Sequence, residues 1–166
     1  PAQRPRRMTL VIRDMRDDEA DQVAAMVHGL ARHLGTGFVP RVTGASLRSS
    51  RDLIDVMVAE DGGALIGACL GLMTFSTWRG ARGLYIVDLF VTPQARGRNV
   101  GRDLLRRQAR KFEARGARFI KLEVDESNTG AARFYTRLGF RKKSEDRLHI
   151  LEQDELQDFI STGDDT

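Results

Sequence analysis

Val91-Thr92-Pro93-Gln94-Ala95-Arg96-Gly97-Arg98-Asn99-Val100-Gly101 joins the end of a strand to the start of a helix. A strongly β-prone run, Leu84 to Val91, leads into it, and Pro93 ends that strand because proline has no N–H for a ladder. Behind it a helical pattern begins near Val100, buries Leu104, Leu105, Ala109 and Phe112, and closes at Gly116. A further strand follows, Phe119 to Val124. Strand, helix and strand in that order predict a right-handed βαβ crossover between parallel strands. The loop itself is rich in glycine and arginine. A loop of this kind before a helix aims unpaired backbone N–H groups and the positive end of the helix dipole at one point. Glycine suits it, since a side chain holds the backbone away from an anion. A pyrophosphate fits, with Arg96, Gly97, Arg98, Asn99, Val100 and Gly101 as the candidate contacts. There is no Gly-Lys-Ser/Thr ending, so it is not the usual nucleotide loop, and the spacing is not that of a dinucleotide fold. The other reading is a glycine-containing loop before an arginine-rich, solvated helix.

Upstream, Thr9 to Arg13 alternates like a short strand. Asp17 or Asp18 can cap a helix with the apolar face Val23, Val27, Leu30 and Leu34, ended by Gly35. Thr36 to Ser50 reads as a loop with one short helical turn. Ile54–Ala59 and Ala64–Phe75 are strands joined at Asp61-Gly62-Gly63, a hairpin signal, and Trp78 to Gly83 is a turn. Downstream, a helix begins after Asn128 and stops at Gly139. Leu148–Leu151 reads as a strand leading into a short helix with Leu156, Phe159 and Ile160. The fold class expected is α/β (α+β): a single domain over 8–160, a mixed, mostly antiparallel sheet with a central βαβ crossover and helices on both faces. Residues 1–7 and 161–166 are expected to be loose tails.

A chain of 166 residues, 41% hydrophobic and 30% charged, has the composition of an ordinary globular domain. A formal charge of +4 and a pI near 9.7 point to an anionic ligand, either nucleic acid or a phosphorylated cofactor. Arg96, Arg98, Arg102, Arg106, Arg107, Arg110 and Lys111 make a positive helix. Sparse aromatics and spacing at i and i+4 fit a solvated face beside a phosphate better than a nucleic-acid surface. Cys69 is the one cysteine, so an intramolecular disulfide is excluded, and its apolar strand setting makes it a core residue. Its solitude suggests a reducing compartment, hence the cytoplasm. No stretch approaches the ~18 apolar residues of a membrane span, and His28, His33 and His149 show no metal-like spacing.

The glycine–arginine loop resembles the acyl-CoA loop of the GNAT superfamily of N-acetyltransferases, whose pattern is Arg/Gln-x-x-Gly-x-Gly/Ala. Arg96, Asn99 and Gly101 occupy the three places, with Asn99 departing from the usual glycine. A second stretch, Asn128-Thr129-Gly130-Ala131-Ala132-Arg133-Phe134-Tyr135-Thr136-Arg137-Leu138-Gly139-Phe140, is similar to that superfamily's Asn-x-x-Ala-x-x-Phe-Tyr-x-x-x-Gly-Phe signature. The resemblance implies acetyl-CoA as co-substrate and no metal. It implies Tyr135 as the general acid that protonates the leaving thiolate, and Asn128 on the pantetheine arm. It further implies main-chain bonds to that arm from Leu89, Phe90 and Val91, with Lys121 to Val124 opposite, and an oxyanion stabilised by the N–H of Leu89 or Phe90.

Phe75 to Val91 resembles the diamine/polyamine branch of the superfamily at Trp78, Gly80, Leu84, Tyr85, Asp88, Phe90 and Val91, and the opening helix through His33 resembles it loosely. That likeness implies substrate contacts from Trp78, Asp88 and His33, a small-molecule amine and a homodimer. Val87 stands where the branch has a glutamate as general base. An ammonium near pKa ~10 must shed a proton before it attacks, so Asp88, Glu123 or a water chain has to serve. An amino acid, an aminoalkyl phosphonate, an aminoglycoside and a protein N-terminus are the other acceptors, and an acyl-CoA-binding protein with impaired catalysis is the other outcome.

Overall fold

The alternation along Ala64–Ser76 decides the layering. Ala68 and Leu70 face one way and pack with Val23, Ala24 and Val27 in the main core. Gly67 and Gly71 face the other way. A Cβ on Gly67 would stand 3.0 Å from Leu104, and one on Gly71 3.3 Å from Gln108. Helices therefore cover both faces of this strand, as its continuous apolar composition requires.

The structure is a computed structural model and describes residues 10–35, 37–143 and 148–161. The described residues fall into two compact units, one running to Asn128 and the other beginning at Thr129. In the first, β1 (Val11–Asp14), β2 (Asp55–Asp61), β3 (Ala64–Ser76), β4 (Ala81–Val91) and β5 (Ala117–Leu122) form one sheet in sequence order. The first three pairings are antiparallel and β4 pairs β5 in parallel. Helix α1 (Ala20–Leu34) and the short α2 (Gly44–Ser49) lie on one face, and α3 (Val100–Glu113) on the other. The second unit holds α4 (Thr129–Arg137) and α5 (Gln153–Ser161).

Local chemistry explains the boundaries. Gly62 and Gly63 both take positive φ (60° and 87°), the primed-turn geometry that matches the twist of the β2–β3 hairpin. Gly35 ends α1 in the left-handed conformation, φ 62°. Thr43 caps α2, exchanging hydrogen bonds with Ser46. On the inner face of α3, Leu104 and Phe112 are wholly buried, each contributing roughly 1.5–3 kcal/mol by leaving water.

Several sequence expectations change. Asp17 and Asp18 do not cap α1. They sit in a 3-10 turn (Asp17–Glu19), and it is Glu19 that closes the start, accepting from the Arg16 N–H at 2.8 Å. Glu19 can do so although nearly buried because Arg13 donates to it from Nη1 and Nη2 at 2.8 and 2.6 Å. That bond to Arg13 outweighs burial and holds the carboxyl at about 2. β4 starts at Ala81, three residues before Leu84. Ala109 is only half-buried, and the residue facing inward beside it is Gln108, fully buried with its Nε2 donating to the Asp55 carbonyl at 3.4 Å. Leu148–Leu151 forms no strand. A strand needs a partner ladder, and among the described residues the sheet ends at β5. Of the expected tails, 1–7 and 162–166 lie outside the described residues.

Candidate active site

The site begins with a fault in β4. Its register against β3 runs Cys69↔Leu89, Leu70↔Asp88, then Gly71↔Ile86, so Val87 is an extra residue with no partner. This is a β-bulge, which bends a strand and re-aims its neighbours. Directly beyond it the parallel ladder to β5 stops, the last pair being Ile86↔Leu122. From Asp88 to Val91, β4 keeps β3 on one side and, among the described residues, has no strand on the other, leaving a main-chain edge of donors and acceptors. Leu89, Phe90 and Val91, expected to bond the pantetheine arm, form that edge. Past Leu122 the chain leaves β5, and an Asx turn at Asp125 accepts the Ser127 N–H at 2.9 Å, so that Asn128 stands immediately before α4.

The bulge also sets the side chains. Asp88 pairs with Leu70 and Phe90 with Ala68, so both lie on the face covered by α1. Asp88 is half-buried and has no hydrogen-bond or ion-pair partner among the described residues. Burial alone pushes its carboxyl up to about 6. Among the described residues no arginine reaches it. Tyr85 lies on the same face, its ring 5.2 Å from the Lys121 Nζ. Burial raises its pKa, and so does the adjacent Glu123 carboxylate, to which the phenol donates. Asp88, Glu123, Tyr85 and Lys121 thus gather where β4 and β5 part. Cys69, beneath them in β3, is fully buried, and burial pushes the thiol up to about 12, with Asp88 adding to it. It is a core residue and not a nucleophile at neutral pH.

The loop after β4 takes the cradle shape. A 3-10 turn, Pro93–Ala95, leads to Gly97 at φ 76° and Asn99 at φ 62°, and α3 starts at Val100. Among the described residues Asn99 is the one non-glycine with positive φ, a conformation that asparagine tolerates better than most side chains. Its side chain makes no cap bond, so the first N–H groups of α3, those of Val100, Gly101 and Arg102, stay open to a ligand. These features fit a pyrophosphate. Arg98 is turned away, its Nη2 2.7 Å from Asp61 in the β2–β3 hairpin, which leaves the backbone as its contribution. Arg96 folds over the end of β4, its Nε donating to the Val91 carbonyl at 3.4 Å.

Two expected substrate residues are placed elsewhere. Trp78 is fully exposed in the turn joining β3 and β4. Seven residue steps along β4 separate Ala81 from Asp88, or ~20 Å at the rise of a strand, so this chain does not bring Trp78 to the opening. His33, in the last turn of α1, lies 3.4 Å from Arg96 Nη1, beside the loop. In the second unit Tyr135 sits on α4 with its ring edge-on to Phe134 and Phe140, at 5.1 and 5.4 Å between centroids. Sequence reading passed over Tyr85 as a site residue and used Lys121 only for its main chain. Their side chains meet through the parallel register Tyr85↔Lys121, which neither strand encodes alone. Among the described residues no cluster of His, Cys, Asp and Glu is placed to hold a metal, and no helix is long and apolar enough to cross a membrane.

Known proteins share this architecture. An integron cassette protein from the mobile metagenome of V. cholerae superposes with a TM-score of 0.75 at 17% identity, over 92% of this chain and 98% of that one. A possible acetyltransferase from Clostridium difficile gives 0.74 at 17% identity, over 87% and 98%. In sequence, the thialysine N-epsilon-acetyltransferase of Sus scrofa is 24% identical over 149 residues, 82% of this chain and 87% of its own length. The family model described as acetyltransferase (GNAT) family matches residues 17–140, a span holding the bulged strand, the anion loop and the Asn128–Phe140 segment. The chain therefore belongs to the acetyltransferase (GNAT) family.

Proposed function

We propose that the protein moves acetyl from acetyl-CoA, the family's co-substrate, to a primary amine of a small diamine-type molecule by direct attack, with Asp88 as general base and Tyr135 as general acid. The observation that carries this reading is the half-buried Asp88 carboxylate, without a partner among the described residues, at the bulge where β4 parts from β5. A carboxylate kept from water without a counter-cation attracts an ammonium. With its pKa near 6 it is ionised at neutral pH, yet it is a stronger base than an ordinary aspartate.

Asp88 takes the proton from the bound ammonium, and the freed nitrogen attacks the thioester carbonyl carbon. The C–N bond forms and the C–S bond breaks. A backbone N–H of the unpaired β4 edge, that of Leu89 or Phe90, donates to the developing oxyanion. Tyr135 gives its phenolic proton to the departing thiolate, a role supported by the Asn128–Phe140 signature, and takes back the second proton that the acylated nitrogen sheds as the neutral amide forms. Arg96, the Gly97–Asn99 backbone and the first turn of α3 hold the pyrophosphate. Glu123, fixed by Tyr85, attracts the second positive charge of the substrate.

Lys121 favours a narrower reading within this one. An exposed ammonium at the same opening opposes a bare polyamine and suits an amine that also carries a carboxylate. The name of the Sus scrofa relative, a thialysine N-epsilon-acetyltransferase, points the same way. The test is acetyl-CoA-dependent acetylation of spermidine, a short diamine, lysine and thialysine, read by mass spectrometry. Turnover confined to the amino acids supports the narrower reading, and turnover of spermidine sinks it. Acetyl-CoA binding with no product from any of the four would overturn the diamine-type assignment.

A further inference from the structure

We infer that His33 belongs to the cofactor side of the site and that it and Arg96 form a two-residue clamp for a phosphate group, a reading that rests on the acetyl-CoA assignment above. The loop resembles a phosphate cradle through its backbone, and nothing in that pattern involves α1. The structure brings α1 to it. His33, exposed in the last turn of α1 before Gly35 ends the helix, has its Nε2 3.4 Å from Arg96 Nη1.

The partners of the neighbouring arginines make this contact informative. Arg98 is paired with Asp61 at 2.7 Å and Arg102 with Asp103 at 3.1 Å. Arg96 has no carboxylate partner among the described residues. Its contacts are the Val91 carbonyl and His33, both at a long 3.4 Å. An arginine without a counter-ion beside a second group able to carry positive charge is an arrangement that an anion completes. Gly97, the next residue, has open space where a Cβ would stand, so the backbone leaves room for an approaching group. A phosphate can accept from the guanidinium and the imidazole together, joining the end of α1 to the loop after β4.

The test compares acyl donors with and without phosphates. For His33→Ala, the Kd for CoA rises and kcat/KM with acetyl-CoA falls by roughly three- to tenfold, the worth of one partly exposed, charge-assisted hydrogen bond. The kcat/KM with acetyl-pantetheine, which has no phosphate, and the KM for the amine stay unchanged. His33→Gln, which keeps a donor, recovers part of the loss. A raised amine KM with CoA affinity intact would return His33 to the amine side. Equal losses with both donors would make it a residue of the fold, and unchanged CoA affinity would also overturn the clamp. Failure of the wild-type protein to bind CoA would strike the cofactor assignment itself, a distinguishable result.

Discussion

Replacing Asp88 by asparagine should stabilise the protein at neutral pH while stopping its chemistry. The carboxyl's pKa rises from 3.8 to about 6 on folding, and burial is the cause. Between those values the folded state binds more protons than the unfolded chain, so stability falls as pH rises and remains lower above pH 6. At 1.36 kcal/mol per pKa unit the ceiling is about 3 kcal/mol. Because Asp88 keeps partial contact with solvent, about 1–2 kcal/mol is the expected gain for Asp88→Asn at pH 8, with little difference at pH 4. Urea denaturation of both proteins at the two pH values measures this directly, as a shift in midpoint at constant slope. In parallel, wild-type kcat/KM should climb with pH along a limb centred near 6, and Asp88→Asn should lose ~10²-fold or more in turnover. An asparagine variant less stable than wild type at pH 8, or a gap indifferent to pH, would show that the carboxylate is held by a partner. The argument for an uncompensated base would then fail.

Tyr135→Phe should lower kcat by about 10²-fold with the Kd for acetyl-CoA nearly intact, since the ring packing is kept and only the proton is lost; unchanged turnover removes Tyr135 as the acid. Asn99→Gly relieves a left-handed residue and takes a side chain away from the pyrophosphate, so it should leave stability level or raise it by up to ~1 kcal/mol and should tighten CoA binding. Weaker binding on calorimetry would contradict the loop reading. Arg13→Ala leaves the nearly buried Glu19 carboxylate with Arg16, 2.7 Å away, as its remaining cation, and should cost about 2 kcal/mol at pH 7. Glu19 is held at about 2, below its ordinary 4.5, so its contribution is present above that ordinary value and lost as pH falls toward 2. Acid denaturation curves of the variant should be flatter across that window.

The order of the elements from β1 to α4 was legible in the sequence, whereas the strand expected at Leu148–Leu151 does not form. Pro93, the glycine–arginine loop and the period of Leu104, Leu105 and Phe112 set strand, cradle and helix, and the Asp61-Gly62-Gly63 hairpin needed nothing beyond local turn chemistry. The family pattern of the loop and of Asn128–Phe140 was legible for the same reason, because a backbone ligand site depends on residues adjacent in the chain. That Val87 stands where the resembling branch has a glutamate was visible too, but not which residue lies beside it in the fold. That Val87 is the extra residue of a bulge follows from the register of β3 against β4, which pairs residues distant in the chain. The same pairings keep Asp88 away from every described arginine, put Tyr85 and Lys121 on one face, set Trp78 at the far end of β4, and bring His33 to the loop after β4. Those facts rest on pairings between residues distant in the chain and on how far each group is removed from water. Local propensity carries no record of either.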